Sequence, residues 1–307
     1  MRLGGAVFLL AIVSCARHDA AEHGNPQPIV LATGQNGPTT GVTVDATTVY
    51  WTNYRGDSVM KVPLGGGTPV TLASGQNAPH AIAVDASFVY WASRDAILRE
   101  PLAGGAPPVT VARARGPNAI AVDTANLYWV TPNAVWAQPV TGGAPVALAS
   151  ANGARTLVVH GGSLFWLEYG DGDANRVMTV PIRGGPPVAL ASGGNCFSSL
   201  AVDDTNVYWT EQWVGTVAKV PVGGGARITL VPGGADQHGG DIAVDGTWVY
   251  WTSRSVMKVP IGGGTPVVVA PSDSAAALAV DSTSVYWTVG GHSEDGFSNG
   301  KVMKTSK

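Results

Sequence analysis

Charge is scarce in this chain: only 13% of its 307 residues are Asp, Glu, Lys or Arg. The formal net charge is −3 and no run of Lys or Arg forms a basic stripe, which excludes nucleic acid as the expected partner. Cysteine is nearly absent. Cys15 and Cys196 are the two thiols, so no disulfide framework staples the fold and stability must come from packing. Long apolar runs are missing too: the apolar stretch at residues 3–13 is too short to cross a bilayer. What the chain has instead is Gly (41) and Pro (21) in quantity, with Ala and Val dominating the apolar residues. That composition suits many short strands joined by tight turns and predicts almost no helix.

The N-terminus reads as a targeting segment, with Arg2 as its positive end, Leu3 to Val13 as its apolar part and Ser14-Cys15 as its close. Ile12-Val13-Ser14-Cys15 resembles a bacterial lipobox. The resemblance implies that Cys15 becomes the lipidated first residue, anchored by acyl chains that partition at about 0.8 kcal/mol per buried methylene. Ala16, rather than Asp, after the Cys then points to the outer membrane of the cell envelope. An ordinary secretory signal is the alternative. Residues 16–27 are polar and aperiodic, as a flexible tether would be. The expected organisation is a signal peptide at 1–15, a tether at 16–27 and one folded unit at 28–307.

An aromatic-Trp pair recurs through that unit, at Trp51, Trp91, Trp129, Trp166, Trp209, Trp251 and Trp287, with steps of 36 to 43 residues. This is the period of a β-propeller blade. Each copy reads as four strands: a nearly all-apolar inner run such as Ala81 to Val84, then Val89-Tyr90-Trp91, then a stretch like Val256 to Pro260, then one like Pro266 to Ala270. Gly-rich pairs or triplets such as Gly65-Gly66-Gly67 fall between the third and fourth strands, where a hairpin needs positive φ. No strand-to-helix transition follows them, so they are turns rather than phosphate loops. The last copy stops after its third strand, while residues 28–32 match a fourth strand that no blade precedes. The N-terminal strand should therefore complete blade seven and close an all-β, seven-bladed ring of four-stranded antiparallel blades. A six-bladed or irregular propeller is the alternative.

Ile82 to Trp91 resembles the YWTD-type repeat of low-density lipoprotein receptor-like and TolB-like propellers, and the likeness covers residues 28–307. Tyr50-Trp51-Thr52, Tyr208-Trp209-Thr210, Tyr250-Trp251-Thr252 and Tyr286-Trp287-Thr288 carry it best, although Asn53, Glu211, Ser253 and Val289 stand where that repeat has Asp. The resemblance implies a propeller fold and a binding role.

Asp45, Asp85, Asp123, Asp203, Asp245 and Asp281 each end an inner strand before a tight turn, where a carboxylate caps local N–H groups rather than forming a catalytic ring. His160 takes the seventh place. Function is expected where the repeats differ, on the face carrying the second-to-third and fourth-to-first strand connections. Three long connections stand out there: 53–58, 168–176 and 289–300. In the second, Asp171, Asp173 and Asn175 offer alternate oxygen ligands, as the start of a calcium loop would. The third carries His292, Glu294 and Asp295. Counting five residues back from each inner-strand Asp, or from His160, places Thr40, His80, Asn118, Arg155 and Ser198 around the channel mouth. His80, Asn118 and Arg155 on adjacent blades suit an anionic or sugar-like ligand. The expected function is a monomeric, envelope-tethered binding or scaffold module for a protein, glycan or other ligand. The alternative is a lyase or hydrolase at the channel mouth, with His80 moving a proton and Arg155 clamping an anion.

Overall fold

The computed structural model describes residues 27–37, 41–170, 175–194, 196–234, 238–272, 274–290 and 298–307. Cys15, Thr40, Asp171, Asp173, His292, Glu294 and Asp295 lie outside these residues. The described chain forms seven four-stranded antiparallel sheets and contains no helix. Counting from the inner to the outer strand, blade one spans Val42–Ser74, blade two Ile82–Arg113, blade three Ala119–Ser150, blade four Leu157–Ser192, blade five Phe197–Val231 and blade six Ile242–Pro271. Blade seven takes three strands from Ala275–Ser306 and its outer strand from Ile29–Gln35, which pairs antiparallel with Gly300–Ser306. Ring closure by the N-terminal strand is thus observed, and it gives blade seven its fourth strand.

The repeated Tyr-Trp pair explains why the blades stack. In a strand, neighbouring side chains point to opposite faces, so Tyr and Trp of one blade serve two different interfaces. Tyr50 packs with Trp91 of blade two, Tyr90 with Trp129, Tyr128 with Trp166, Tyr208 with Trp251, Tyr250 with Trp287, and Tyr286 with Trp51 across the closure. Phe165 replaces Tyr at the interface with Trp209. Seven apolar clusters therefore correspond to seven blade interfaces, and each buries two large rings. A fully buried ring of this size contributes a few kcal/mol.

The aspartates cap turns, as their position suggests, but they do more. Asp203 accepts the N–H groups of Thr205 and Asn206 on Oδ1, both at 2.7 Å, while its Oδ2 accepts the Tyr208 hydroxyl at 2.7 Å. The same pattern joins Asp45 to Tyr50, Asp85 to Tyr90, Asp123 to Tyr128, Asp245 to Tyr250 and Asp281 to Tyr286. Blade four loses both halves together, having His160 and Phe165. His160 instead places Nε2 2.8 Å from Asp204 of blade five.

A second link joins neighbouring blades at the lower face, which carries the first-to-second and third-to-fourth strand turns. Lys61 Nζ donates to the Leu102 carbonyl oxygen, Arg99 to Val140, Lys219 to Ile261 and Lys304 to Leu64. The last of these bonds spans the closure. Gly66 and Gly67 occupy φ values of +88° and +138° in the hairpin after the third strand, where an L side chain would be strained. A β-bulge recurs one step into the third-to-fourth-strand ladder, at Val59/Met60, Ile97/Leu98, Val135/Trp136, Val177/Met178, Val217/Ala218 and Val256/Met257. It sharpens the twist that lets flat blades wrap round a ring.

Candidate functional site

The upper rim, made of the second-to-third and fourth-to-first strand connections, is uneven in height. Four to ten residues join the second and third strands in blades one, four, five and seven, whereas Ser93–Asp95, Pro132–Asn133 and Ser253–Arg254 suffice in blades two, three and six. Two of the short turns adjoin, over blades two and three. Three upper-face hollows gather at that gap.

The one nearest the channel is a depression of about 430 Å³ lined by Tyr54, His80, Arg94 and Asn118 with Ala78, Gly116 and Pro117. His80 and Asn118 are therefore brought together as their register implies. Neither is free. His80 Nε2 lies 2.6 Å from the Pro117 carbonyl oxygen and Nδ1 3.1 Å from that of Ala78, so both ring nitrogens are engaged by main chain. Asn118 Nδ2 donates to the Ala154 carbonyl oxygen at 2.7 Å. With Thr52 Oγ1 donating to the His80 carbonyl oxygen at 2.9 Å, these groups form a series of handholds round the mouth from blade one to blade four. Asn118 is nonetheless exposed, and two further side chains face solvent beside it. Arg94 is exposed and its guanidinium has no partner among the described residues; Tyr54 is 41% exposed. Neither residue repeats from blade to blade, so periodicity gave no signal for them.

Arg155 and Ser198 do not join this depression. The Arg155 guanidinium lies over the Tyr169 ring, 4.6 Å from its centroid. The Tyr169 hydroxyl donates to the Phe197 carbonyl oxygen. Burial foremost, and then the nearby Cys196 thiol, push that hydroxyl's pKa up to about 12, against the pull of Arg155. Ser198 is half-buried in the inner strand of blade five, beside an irregularity between Phe197 and Leu200. Of the calcium-loop residues, Asn175 is described: it is 5% exposed and donates Nδ2 to the Gly194 carbonyl oxygen at 3.2 Å. Among the described residues, no three His, Cys, Asp or Glu side chains cluster as metal ligands would.

Two features escaped the sequence reading altogether. On the lower face a hollow of about 570 Å³ lies between Asp85, Tyr90 and Arg99 of blade two and Asp123 of blade three. Its polar groups are already committed, because Arg99 bonds Val140 and covers the Phe88 ring at 4.3 Å, and Tyr90 bonds Asp85. The other feature is Asp241. Its Oδ1 accepts Ser199 Oγ at 2.6 Å and its own neighbour's N–H, from Ile242, at 3.0 Å, while Oδ2 accepts the Leu278 N–H at 2.8 Å. One carboxyl thus ties blades five, six and seven. Burial raises its pKa, although the bonds from Ser199, Leu278 and Ile242 work the other way.

No protein-family model and no curated sequence matches the chain. Solved structures do. A streptogramin B lyase superposes with a TM-score of 0.74 at 9% identity, over 92% of this chain and 97% of that one. A virginiamycin B lyase from Staphylococcus aureus gives 0.70 at 13%, over 91% and 98%. A chain of a nidogen/laminin complex gives 0.56 at 20%, over 70% of this chain and 89% of that one. At these identities the likeness is one of fold, and propellers carry many unrelated functions.

Proposed function

We propose that this protein is a binding module whose ligand-facing surface is the low part of the upper rim, over blades two and three beside Tyr54 of blade one, and that Cys15 tethers it to the outer membrane of the cell envelope. One observation carries the reading. Of the side chains that face solvent in the mouth depression, Arg94 has no partner among the described residues and Tyr54 lies exposed beside it, a cation and an amphipathic ring. Such a pair suits capture of an anionic or sugar-like group. The nidogen/laminin complex among the structural neighbours is a propeller-bearing assembly, in keeping with a binding role.

The lyases among the neighbours favour a second reading, an enzyme acting at the channel mouth; one of those structures is described as a catalytically inactive His-to-Ala variant with quinupristin. Here His80 would have to move the proton, yet both its nitrogens contact main-chain carbonyls, and Arg155 is stacked on Tyr169 instead of facing it. That arrangement favours binding over turnover.

Thermal unfolding against sugars, peptidoglycan fragments, organic anions and calcium separates the two. A ligand at about a hundred times its Kd adds about 2.7 kcal/mol. Binding at the mouth predicts that Arg94→Ala abolishes the shift while His80→Gln lowers stability without ligand. A turnover that Arg94→Ala spares and His80→Gln abolishes would replace this reading with the enzymatic one. Calcium belongs in the panel because Asp171, Asp173 and Asn175 are spaced as its ligands, and a shift removed by Asp171→Asn would assign that loop as a calcium site.

A further inference from the structure

The other large hollow of the low rim is a trough of about 560 Å³, which meets the mouth depression at Gly116 and runs outward over blade three. Its character comes from a break in the repeat. Across the second and third strands, the conserved-position Trp of each blade faces a slim side chain: Met60, Leu98, Met178, Ala218, Met257 or Met303. Blade three alone sets Trp against Trp, pairing Trp129 with Trp136. The two indoles stack with centroids 6.2 Å apart and planes inclined by 11°. Trp129 is buried, whereas Trp136 is half-buried and lines the trough. No long connection covers it, because the Pro132–Asn133 turn beside it has only two residues.

The trough's charged groups are of one sign. Arg113, which ends the outer strand of blade two, and Arg115, in the bend that follows, both line it, while the intervening Ala114 is buried. Both guanidiniums are exposed, and neither has a partner among the described residues. Asp95 borders a neighbouring hollow with Arg113 but forms no ion pair with it. In a chain of net charge −3, two adjacent unpaired forks beside a flat indole mark a place complementary to an anion that brings a ring. Asn133 at the lip adds an exposed amide able to bond hydroxyl groups.

We propose that this trough binds an acidic oligosaccharide, stacking the C–H face of one sugar ring on Trp136 and holding the ring's carboxylate between Arg113 and Arg115. The site is separate from the mouth depression, since none of its three defining residues lines that hollow. With only the two-residue Pro132–Asn133 turn beside it, the trough favours a ligand held by its edge over one that is enclosed.

Calorimetric titration with a galacturonate trimer, a neutral galactose trimer and 1-naphthoate tests this on the full protein. The uronate trimer should bind, at least tenfold more tightly than the neutral one, with affinity falling as salt rises. Trp136→Met installs the side chain that four other blades carry at this position, so the fold is retained, and it should weaken uronate binding at least tenfold. The Arg113→Ala/Arg115→Ala double variant should do the same, while Arg254→Ala, which removes an exposed arginine from the short blade-six turn, should leave this binding within twofold. Loss with Arg94→Ala alone would place the sugar in the mouth depression and overturn the trough site. Absence of uronate binding, equal affinity in Trp136→Met, or binding of 1-naphthoate without the uronate would each overturn the proposal as well.

Discussion

Removing one hydroxyl from blade five should expose how the repeat is held. Tyr208 is fully buried, and its hydroxyl donates to Asp203 Oδ2 at 2.7 Å. Tyr208→Phe deletes a bond to a charged acceptor that water can partly reach, which should cost about 1–1.5 kcal/mol. Asp203→Asn should cost more, about 2–3 kcal/mol, because one amide oxygen cannot serve both Tyr208 and the Thr205 and Asn206 N–H groups. The double variant should recover about 1 kcal/mol relative to the sum, since the bond is then lost once. The effect must also depend on pH. Burial works to raise the Asp203 pKa, but the Tyr208 hydroxyl and the two turn N–H groups hold it below the ordinary 3.8. Its stabilisation is therefore present above 3.8 and fades as pH falls through the folded value, so the Tyr208→Phe penalty should shrink by pH 2. Guanidinium unfolding of all four proteins at pH 7 and pH 2 measures this. A coupling below about 0.3 kcal/mol at pH 7, or a penalty unchanged at pH 2, would refute the reasoning. Blade four supplies a natural counterpart: Phe165→Tyr would bury a hydroxyl facing His160 instead of Asp, and should destabilise by about 1–3 kcal/mol.

Other perturbations have equally definite signs. Lys304→Met removes the bond to the Leu64 carbonyl oxygen across the closure and should cost about 1 kcal/mol, with faster hydrogen exchange confined to residues 29–35 and 300–306; exchange accelerating equally in all blades would count against a local closure role. Gly240→Ala would put its Cβ 2.3 Å from Thr252 Oγ1, so a loss of roughly 2 kcal/mol or more is expected, and a neutral result in thermal unfolding would show that the approach is not tight. Asp241 titrates in the opposite sense to Asp203: with its folded pKa raised, its contribution is greatest below 3.8 and declines as pH rises through the folded value. Asp241→Asn should flatten that decline in unfolding measured from pH 3 to 7. At the alkaline end, burial foremost and then the partner carboxylates push Tyr50, Tyr90 and Tyr128 up to about 12, so their stabilisation holds below the ordinary 10 and is lost through about 12 in spectrophotometric titration.

The blade count and the closure were legible because they follow from repetition: Trp every 36 to 43 residues and a fourth strand, residues 28–32, with no blade before it. The turn role of the aspartates was legible for the same reason. Their bond to Tyr five residues on was not read, although the paired loss at His160 and Phe165 was a visible covariation. The bonds from Lys61, Arg99, Lys219 and Lys304 join residues of adjacent blades, or of the first and last, and no local pattern announces them. At the site, register correctly brought His80 and Asn118 together but could not say that their polar atoms would be spent on Pro117 and Ala154. Attention to long connections also missed the hollow ground. Depressions form where short turns adjoin, as Ser93–Asp95 and Pro132–Asn133 do, and that depends on the relative height of neighbouring blades.

The central claim is that ligand meets the low rim over blades two and three and not the high loops of blades four and five. Hydrogen exchange read by mass spectrometry, with and without whichever compound of the thermal panel binds most tightly, tests it directly. The account predicts protection gained in peptides covering 76–80, 93–95 and 113–118, with the connections of blades four and five unchanged. Protection concentrated at 168–176 or 211–217 would contradict it.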